Sequence, residues 1–295
     1  MRIHPRCLGC MIDQVRKAYR LLHPDVNNDT IVRTQKKVMK KLLNLENTDA
    51  PYYGQAVYQT LSECLGEKDP YAALKKRYNT IALELATQLQ ELLEQVDDKL
   101  LTAITIAIMG NTIDFGTHHS IDIEKDVENF SLTNLGINHY KELAAALETG
   151  ERILIIGDNA GEIVFDKILM EYLTGAFSEK RFTYAVRGGP AINDALLEDA
   201  QMVGLTEVCP VVEGSACPGV IFAQTSAAFQ EAFTGADLVL SKGQGNFESL
   251  MEKRYPNKEI FFLLKAKCLI MEEIFGVPMG TLILCQQTRI PYPHN

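Results

Sequence analysis

Residues 152–162 read RILIIGDNAGE, an aliphatic run followed by a short polar loop and a glutamate. Successive aliphatic side chains without polar alternation are typical of a strand that is buried on both faces, as in parallel sheets. The loop that begins at Gly157 would lie at the carboxyl end of that strand, where open parallel sheets bind ligands. This stretch therefore predicts both a parallel sheet and the place of a site on it.

Five further apolar runs follow the first one toward the end of the chain. They are Phe182–Val186, Glu207–Val212, Asp237–Ser241, Ile260–Leu264 and Thr281–Cys285. From Arg152 onward the six runs start 30, 25, 30, 23 and 21 residues apart, which is the length of a strand plus a crossover helix. The pattern predicts an α/β fold with a doubly wound, mostly parallel sheet.

In the front of the chain, apolar residues recur every three or four positions instead, which is the period of a helix. A run from Tyr71 to Val96 predicts one long helix that begins at Asp69-Pro70, and the first helix should end before His23-Pro24. Further helices are expected over about 29–45, 52–65, 98–109 and 139–149. We predict a mainly helical domain over residues 1–137, packed on an α/β metal- and phosphate-binding domain over residues 138–295.

Composition limits the functional classes. The chain of 295 residues has 29 Lys and Arg against 38 Asp and Glu, a formal charge of −9, which argues against a broad basic surface for nucleic acid. No apolar run approaches the ~18 residues of a membrane span, and the opening residues lack an apolar signal core. We expect a cytoplasmic protein with neither a nucleic-acid nor a membrane partner, and its oligomeric state stays open.

Oxygen ligands follow the first two predicted strands. Asp158 and Asn159 come after the first strand, and Asp194 comes after the second. Hard cations such as Mg²⁺ take carboxylate and amide oxygens together with waters. The alternative is that these residues cap the helices that follow, which is common at such junctions.

Cationic groups follow the same and neighbouring strands. Arg187 precedes Gly188, Lys242 precedes a glycine-rich loop, and Lys265 and Lys267 end the fifth run. Guanidinium, ammonium and exposed backbone N–H groups bind phosphate, although a single lysine at a strand end is often only solvated. Together they predict a site for an anionic ligand held with a metal.

A methyltransferase is the competing interpretation of the first loop. The Gly157 loop superficially resembles a nucleotide-binding motif, but Asn159 stands where the second glycine of G-x-G is needed. An S-adenosylmethionine-dependent carboxyl methyltransferase and a non-catalytic phosphometabolite-binding redox sensor remain the alternatives.

Six blocks in order resemble the damage-control phosphatase family, known as domain of unknown function 89, in its subfamily with an N-terminal Cys-x-x-Cys. The blocks are Cys7–Cys10, Gly110–Phe115, Gly157–Glu162, Arg187–Asp194, Ser241–Glu248 and Lys265–Cys268. The resemblance implies metal-dependent hydrolysis of phosphate monoesters of small, damaged or side-product metabolites such as sugar phosphates. The Arg-Thr-x-Lys motif of another branch is absent, because Leu264-Lys265-Ala266-Lys267 stands there.

By this resemblance, Asp158, Asn159 and Asp194 would hold the metal, and Lys267 would be a catalytic lysine. The substrate would be contacted by the Lys242 loop, comprising Gly243, Gln244, Gly245 and Asn246, and from the helical side by Asn111 and Asp114. The metal could be Mg²⁺, Mn²⁺, Co²⁺ or Ni²⁺.

Two mechanisms stay open at this point. Either Asp158 attacks phosphorus to form an aspartyl-phosphate, or a metal-bound water attacks directly. Glu162 would orient that water, and Lys242 would neutralise the phosphoryl oxygens.

Cys7 and Cys10 have the spacing of a redox or metal motif, but no predicted strand precedes them. They could pair structurally or by oxidation, or form part of a soft-metal site with Cys268 as a third participant. The odd count of seven cysteines otherwise favours reduced thiols.

Overall fold

The computed structural model describes residues 1–46, 49–110 and 135–290, and the front of the described chain is helical. Its helices are α1 (Pro5–Leu22), α2 (Asn28–Leu43), α3 (Ala50–Leu65), α4 (Ala72–Gln95) and α5 (Lys99–Gly110). The first helix ends before His23-Pro24, as predicted, because the residue before a proline is disfavoured in a helix.

The back half forms a seven-stranded sheet. Its strands are β1 (Leu135–Asn138), β2 (Arg152–Ile156), β3 (Arg181–Val186), β4 (Val211–Glu213), β5 (Leu238–Lys242), β6 (Glu259–Lys265) and β7 (Leu282–Gln286). The order across the sheet is β1-β7-β6-β5-β2-β3-β4, and every neighbouring pair is parallel except β6 and β7. The predicted α/β class with a mostly parallel sheet is confirmed.

Helices connect these strands and cover the sheet. They are α6 (Tyr140–Thr149), α7 (Glu162–Ala176), α8 (Leu197–Met202), α9 (Ala227–Gly235), α10 (Gly243–Leu250) and α11 (Leu269–Phe275).

One predicted strand boundary was wrong, and two features of the sheet were not predicted. β7 pairs antiparallel with β6, because the chain after α11 returns beside β6 in the opposite direction. Glu207 belongs to a 3₁₀ turn over Leu205–Glu207, so β4 begins only at Val211. The sequence pattern also missed β1, which pairs with β7 and begins before the predicted domain boundary at residue 138. The boundary itself stays a prediction.

The sheet is buried on both faces, which explains the unbroken aliphatic run of β2. Ile153 and Ile155 pack into one apolar cluster with α4, α5 and α7. Leu154 and Ile156 face the opposite way, into a second cluster with α9, α10 and α11. A third cluster joins α1, α2 and α3. Thus α4 and α5 belong to the core of the sheet, and they hold the front helices against its edge.

Across residues 1–46, 49–110 and 135–290, no helix combines the length and the apolar character that a bilayer span requires.

Candidate active site

Backbone hydrogen bonds join the two loops that were predicted to bind metal. We call residues 157–162 the first metal loop and residues 187–194 the second metal loop. The N–H of Ala195 donates to the carbonyl of Asp158 over 2.8 Å, and the N–H of Ala160 donates to the carbonyl of Asn193 over 2.9 Å. These bonds form a separate antiparallel bridge between Asn159 and Asp194, beyond the ends of the parallel strands β2 and β3. As a result, Asp158, Asn159 and Asp194 lie together at the carboxyl edge of the sheet.

Arg187 lies between the two aspartates. Its Nε donates to Asp194 Oδ2, its Nη2 donates to Asp158 Oδ1 over 3.2 Å, and its Nη1 donates to Asn246 Oδ1 over 2.7 Å. The guanidinium is buried and balances part of the charge of both carboxylates. Its predicted contact with phosphate stays a prediction, whereas its contacts with the two aspartates are visible.

Burial dominates the electrostatics of the two aspartates. It raises the pKa of Asp158, and the neighbouring Glu162 raises it further, while Arg187 and Lys267 oppose the shift. Burial also raises the pKa of Asp194 to about 7, against the opposing effect of Arg187. An additional cation would stabilise the charged forms of carboxylates that repel one another in a buried site.

The donor set of these loops fits a hard divalent cation. It offers two carboxylates and the amide of Asn159, and Mg²⁺ ordinarily binds one or two carboxylates while keeping several waters. The Asn159 Nδ2 donates to Asp158 Oδ2 over 2.8 Å and to Glu162 Oε2 over 3.2 Å, which directs the amide oxygen away from those carboxylates. Within the described ranges, no group of three His, Cys, Asp or Glu side chains is assembled for a metal, so the amide is needed.

Lys242 lies beneath this site and is completely buried. Its Nζ donates to Glu162, to Asp166 Oδ1 over 2.5 Å and to the carbonyl of Ala107 over 2.9 Å. Although burial alone would lower the pKa of Lys242, Asp166 and Glu162 raise it above the ordinary lysine value. The predicted phosphate contact of Lys242 and the predicted water contact of Glu162 stay predictions. The contacts that the structure describes are internal.

Asp166 was missed by the sequence analysis. It accepts a hydrogen bond from Tyr184 OH over 2.6 Å, and burial raises its pKa to about 6, against the opposing effect of Lys242. The available signal was two acidic residues, Glu162 and Asp166, four positions apart among the apolar residues at the start of α7. Such spacing places both on one helix face, and buried acids require a cationic partner.

The glycine-rich segment after β5, which was predicted to be a loop, forms the start of α10 and packs closely against Asp158 and the segments at Gly214 and Pro218. Gly243 has φ +74°, and a Cβ there would lie 2.0 Å from Asp158 Oδ2. A Cβ on Gly245 would lie 2.5 Å from the carbonyl oxygen of Pro218, and one on Gly188 would lie 2.3 Å from that of Gly214. Close packing therefore accounts for these glycines, and their predicted phosphate contacts stay predictions.

Gln244 and Asn246 have different surroundings. Gln244 Nε2 donates to Glu248 Oε1 over 2.8 Å, and Asn246 Nδ2 donates to the carbonyl of Gly157 over 2.9 Å. Asn246 is buried and links α10 to both Arg187 and the first metal loop.

A cavity of about 540 Å³ lies between the front helices and the sheet edge. On the sheet side it is lined by Asn159, Lys265 and Lys267. On the helical side it is lined by Gln14, Lys17, Tyr58, Tyr71, Leu74 and Tyr78, among others. Lys267 is exposed and lies close enough to Asp158 to lower the pKa of that carboxyl.

Tyr71, directly before α4, and Tyr78 on α4 are buried, and they also face the cavity. Gln14 and Lys17 gave no sequence signal, because polar residues on an amphipathic helix ordinarily face solvent.

Cys7, Cys10 and Cys268 form no disulfide within the described part of the chain. Cys10 is exposed, and burial raises the pKa of the half-buried Cys7. Their predicted redox or metal role, and with it the Cys-x-x-Cys subfamily, stays a prediction. Asn111 and Asp114 lie outside the described residues.

Comparisons with known proteins bear on the family and the fold of this chain. The chain is 35% identical over 292 residues to the Damage-control phosphatase PH1575 of Pyrococcus horikoshii, covering 98% of this chain and 99% of that one. It is 30% identical over 293 residues to a Damage-control phosphatase of Archaeoglobus fulgidus, covering 96% and 98%. The crystal structure of the DUF89 family protein PH1575 superimposes with a TM-score of 0.85 at 33% identity, covering 97% of this chain and 99% of that one. The family model of the damage-control phosphatase ARMT1-like domain matches residues 3–283 of this chain, and the chain belongs to this family.

Proposed function

We propose that the protein is a metal-dependent phosphatase that hydrolyses phosphate monoesters of small metabolites, such as sugar phosphates, in the cavity beside the sheet edge. One observation carries the proposal: Asp158, Asn159 and Asp194 converge at this edge, and the exposed Lys267 and the cavity lie beside them. The names of the relatives support a phosphatase, and the donor set supports a hard divalent cation.

In this proposal Asp158, Asn159 and Asp194 hold a divalent cation such as Mg²⁺, Mn²⁺, Co²⁺ or Ni²⁺. When bound, the cation would withdraw charge from the phosphoryl oxygens. Lys267 donates to the phosphoryl group from the cavity wall. Arg187 holds the two aspartates in their relative orientation, because it contacts both of them.

Glu162 and Lys242 support the site from below. Glu162 Oε2 accepts from the amide nitrogen of Asn159 over 3.2 Å, so the carboxylate fixes which side of that amide presents its oxygen. Lys242 Nζ donates to the buried Glu162, so each of the two charged groups has a partner in the interior. The substrate's organic part would lie against Tyr58, Tyr71 and Tyr78.

The test is release of inorganic phosphate from p-nitrophenyl phosphate and a panel of sugar monophosphates. Each of the four metals is added to chelator-treated protein in turn. We expect release only with metal, and at least a 100-fold loss in Asp158→Asn. The exposed Asp97→Asn variant is the matched control, and it should keep native activity. Absence of release with every metal would overturn the proposal, and equal release with chelator alone would overturn its metal dependence.

Acid quenching separates the two nucleophiles. If Asp158 attacks phosphorus, protein that is quenched during turnover of a ³²P-labelled ester carries acid-stable label at residue 158. If water attacks directly, the label appears only in free phosphate.

A further inference from the structure

Asn79 is a buried polar residue on a helix that supplies part of the apolar core. It lies on α4 four positions after Lys75, and both side chains are almost completely buried. Residues four apart share one face of a helix, so α4 presents a polar pair inside the protein. Burying an amide is costly unless its donors and acceptors are satisfied. The partners of Asn79 therefore account for its presence there.

The oxygen of Asn79 binds the first metal loop. The backbone N–H of Gly161 donates to Asn79 Oδ1 over 2.7 Å. Gly161 has φ +80° and lies directly before α7, two positions after Asn159. N–H groups at the start of a helix have no partner within the helix. Asn79 supplies that partner from the helical half of the chain and fixes the end of the loop that carries Asp158 and Asn159.

The nitrogen of Asn79 binds the segment that follows the second metal loop. Asn79 Nδ2 donates to Asp199 Oδ1 over 2.8 Å. Asp199 Oδ2 accepts from the N–H of Leu196 over 2.8 Å, and Leu196 lies two positions after Asp194. Lys75 Nζ also contacts Asp199 Oδ2, at 3.4 Å, and it pairs with Asp69 Oδ2 at 2.8 Å. One amide thus connects both metal loops to α4.

We propose that Asn79 is a positioning residue of the site, which fixes the loop of Asp158 and Asn159 relative to the loop of Asp194. This inference rests on the proposed function and extends it to a residue that touches neither metal nor substrate. Loss of such support lowers metal affinity by about 10–100-fold, and a displacement of about 1 Å can cost about 100-fold in rate.

Exchanging the side chains of Asn79 and Asp199 provides the test. Asn79→Ala removes both hydrogen bonds. Asn79→Asp keeps an acceptor for Gly161 but places a carboxylate against Asp199. In the double variant Asn79→Asp with Asp199→Asn, the amide nitrogen at 199 donates to the carboxylate at 79, and its oxygen still accepts from Leu196. The double variant preserves the total charge and reverses the hydrogen bond between positions 79 and 199, although Lys75 then faces a neutral amide at 199 and the contact of Asn79 Nδ2 with Met202 Sδ is lost.

Three measurements are made on each variant: steady-state kinetics, Mn²⁺ affinity, and hydrogen exchange of the Gly161 amide in metal-free protein. For Asn79→Ala we expect kcat to fall about 10–100-fold, Mn²⁺ affinity to fall similarly, and Gly161 exchange to accelerate at least tenfold. The substrate KM should change less than threefold. The double variant should recover at least tenfold in kcat and affinity relative to Asn79→Asp.

Leu89→Ala is the control for a general loss of stability. Leu89 is buried on the same helix but belongs to the apolar core. This variant should lower the unfolding temperature and leave kcat, Mn²⁺ affinity and Gly161 exchange at native values. The inference is overturned if Asn79→Ala retains native Mn²⁺ affinity and Gly161 exchange, or if Leu89→Ala reproduces its losses. If the native protein releases no phosphate, the proposed function fails, and Gly161 exchange still decides whether Asn79 holds the loop.

Discussion

Replacing Gly243 by alanine should damage the site more than the fold. Gly243 has φ +74°, and Gly66 at the end of α3 has φ +73° with no atom within 4 Å of the place that a methyl group would take. Both alanine variants carry the left-handed penalty of about 1–2 kcal/mol. Only Gly243→Ala also brings a Cβ to 2.0 Å from Asp158 Oδ2, and overpacking of this kind costs about 1–3 kcal/mol more.

The assay is a pair of measurements on both variants. Urea denaturation should show Gly243→Ala less stable than Gly66→Ala by about 1–3 kcal/mol. If Asp158 moves aside instead, that difference shrinks and phosphate release falls about 100-fold, since a displacement of about 1 Å is sufficient for such a loss. Gly66→Ala should retain native activity. Equal stability and equal activity of the two variants would refute the packing argument.

Three further variants test the charges of the site. Lys267→Ala should raise KM for phosphate esters about tenfold, while urea denaturation stays within about 0.5 kcal/mol of native, because this exposed cation has no role in the core. Lys242→Met should lower the free energy of unfolding by about 3–5 kcal/mol, because Glu162 and Asp166 lose a buried partner; an unchanged urea midpoint would contradict this. Burial raises the pKa of Asp166 to about 6, so the folded protein binds this proton more tightly than the unfolded chain, and stability should fall as pH rises from about 4 to about 6. Asp166→Asn should flatten that slope in urea titrations, and a slope as steep as native would count against the assignment.

The sheet and the meeting of the Asp158 and Asp194 loops at its edge could be predicted from sequence, because both depend on local pattern. The aliphatic run of β2 requires burial on both faces, and the loop from Gly157 must then lie at the edge where ligands bind. The direction of β7 could not be predicted in this way, since an apolar run has the same composition whichever way the chain runs through the sheet.

The interior position of Lys242 was likewise hidden. It is the last residue of β5, where a phosphate-binding lysine could lie, but its two carboxylate partners lie on α7, at Glu162 and Asp166. Partners about eighty residues apart along the chain come together only in the folded state. The acid pair itself was visible as i and i+4 on α7, and it could have indicated a buried cation.

Two adjacent rows of side chains at α4 have different surroundings. Tyr71, Leu74 and Tyr78 face the cavity, whereas Lys75 and Asn79 face the loops of the sheet. A chimera that exchanges α1 with that of a relative would change the cavity-facing residues Gln14 and Lys17, whereas α3 also packs on α10 and on Ala216 and Pro218. A graft of α4 has to retain Lys75 and Asn79. The three cavity-facing positions can then be varied together in a small library of variants to change the specificity of the protein.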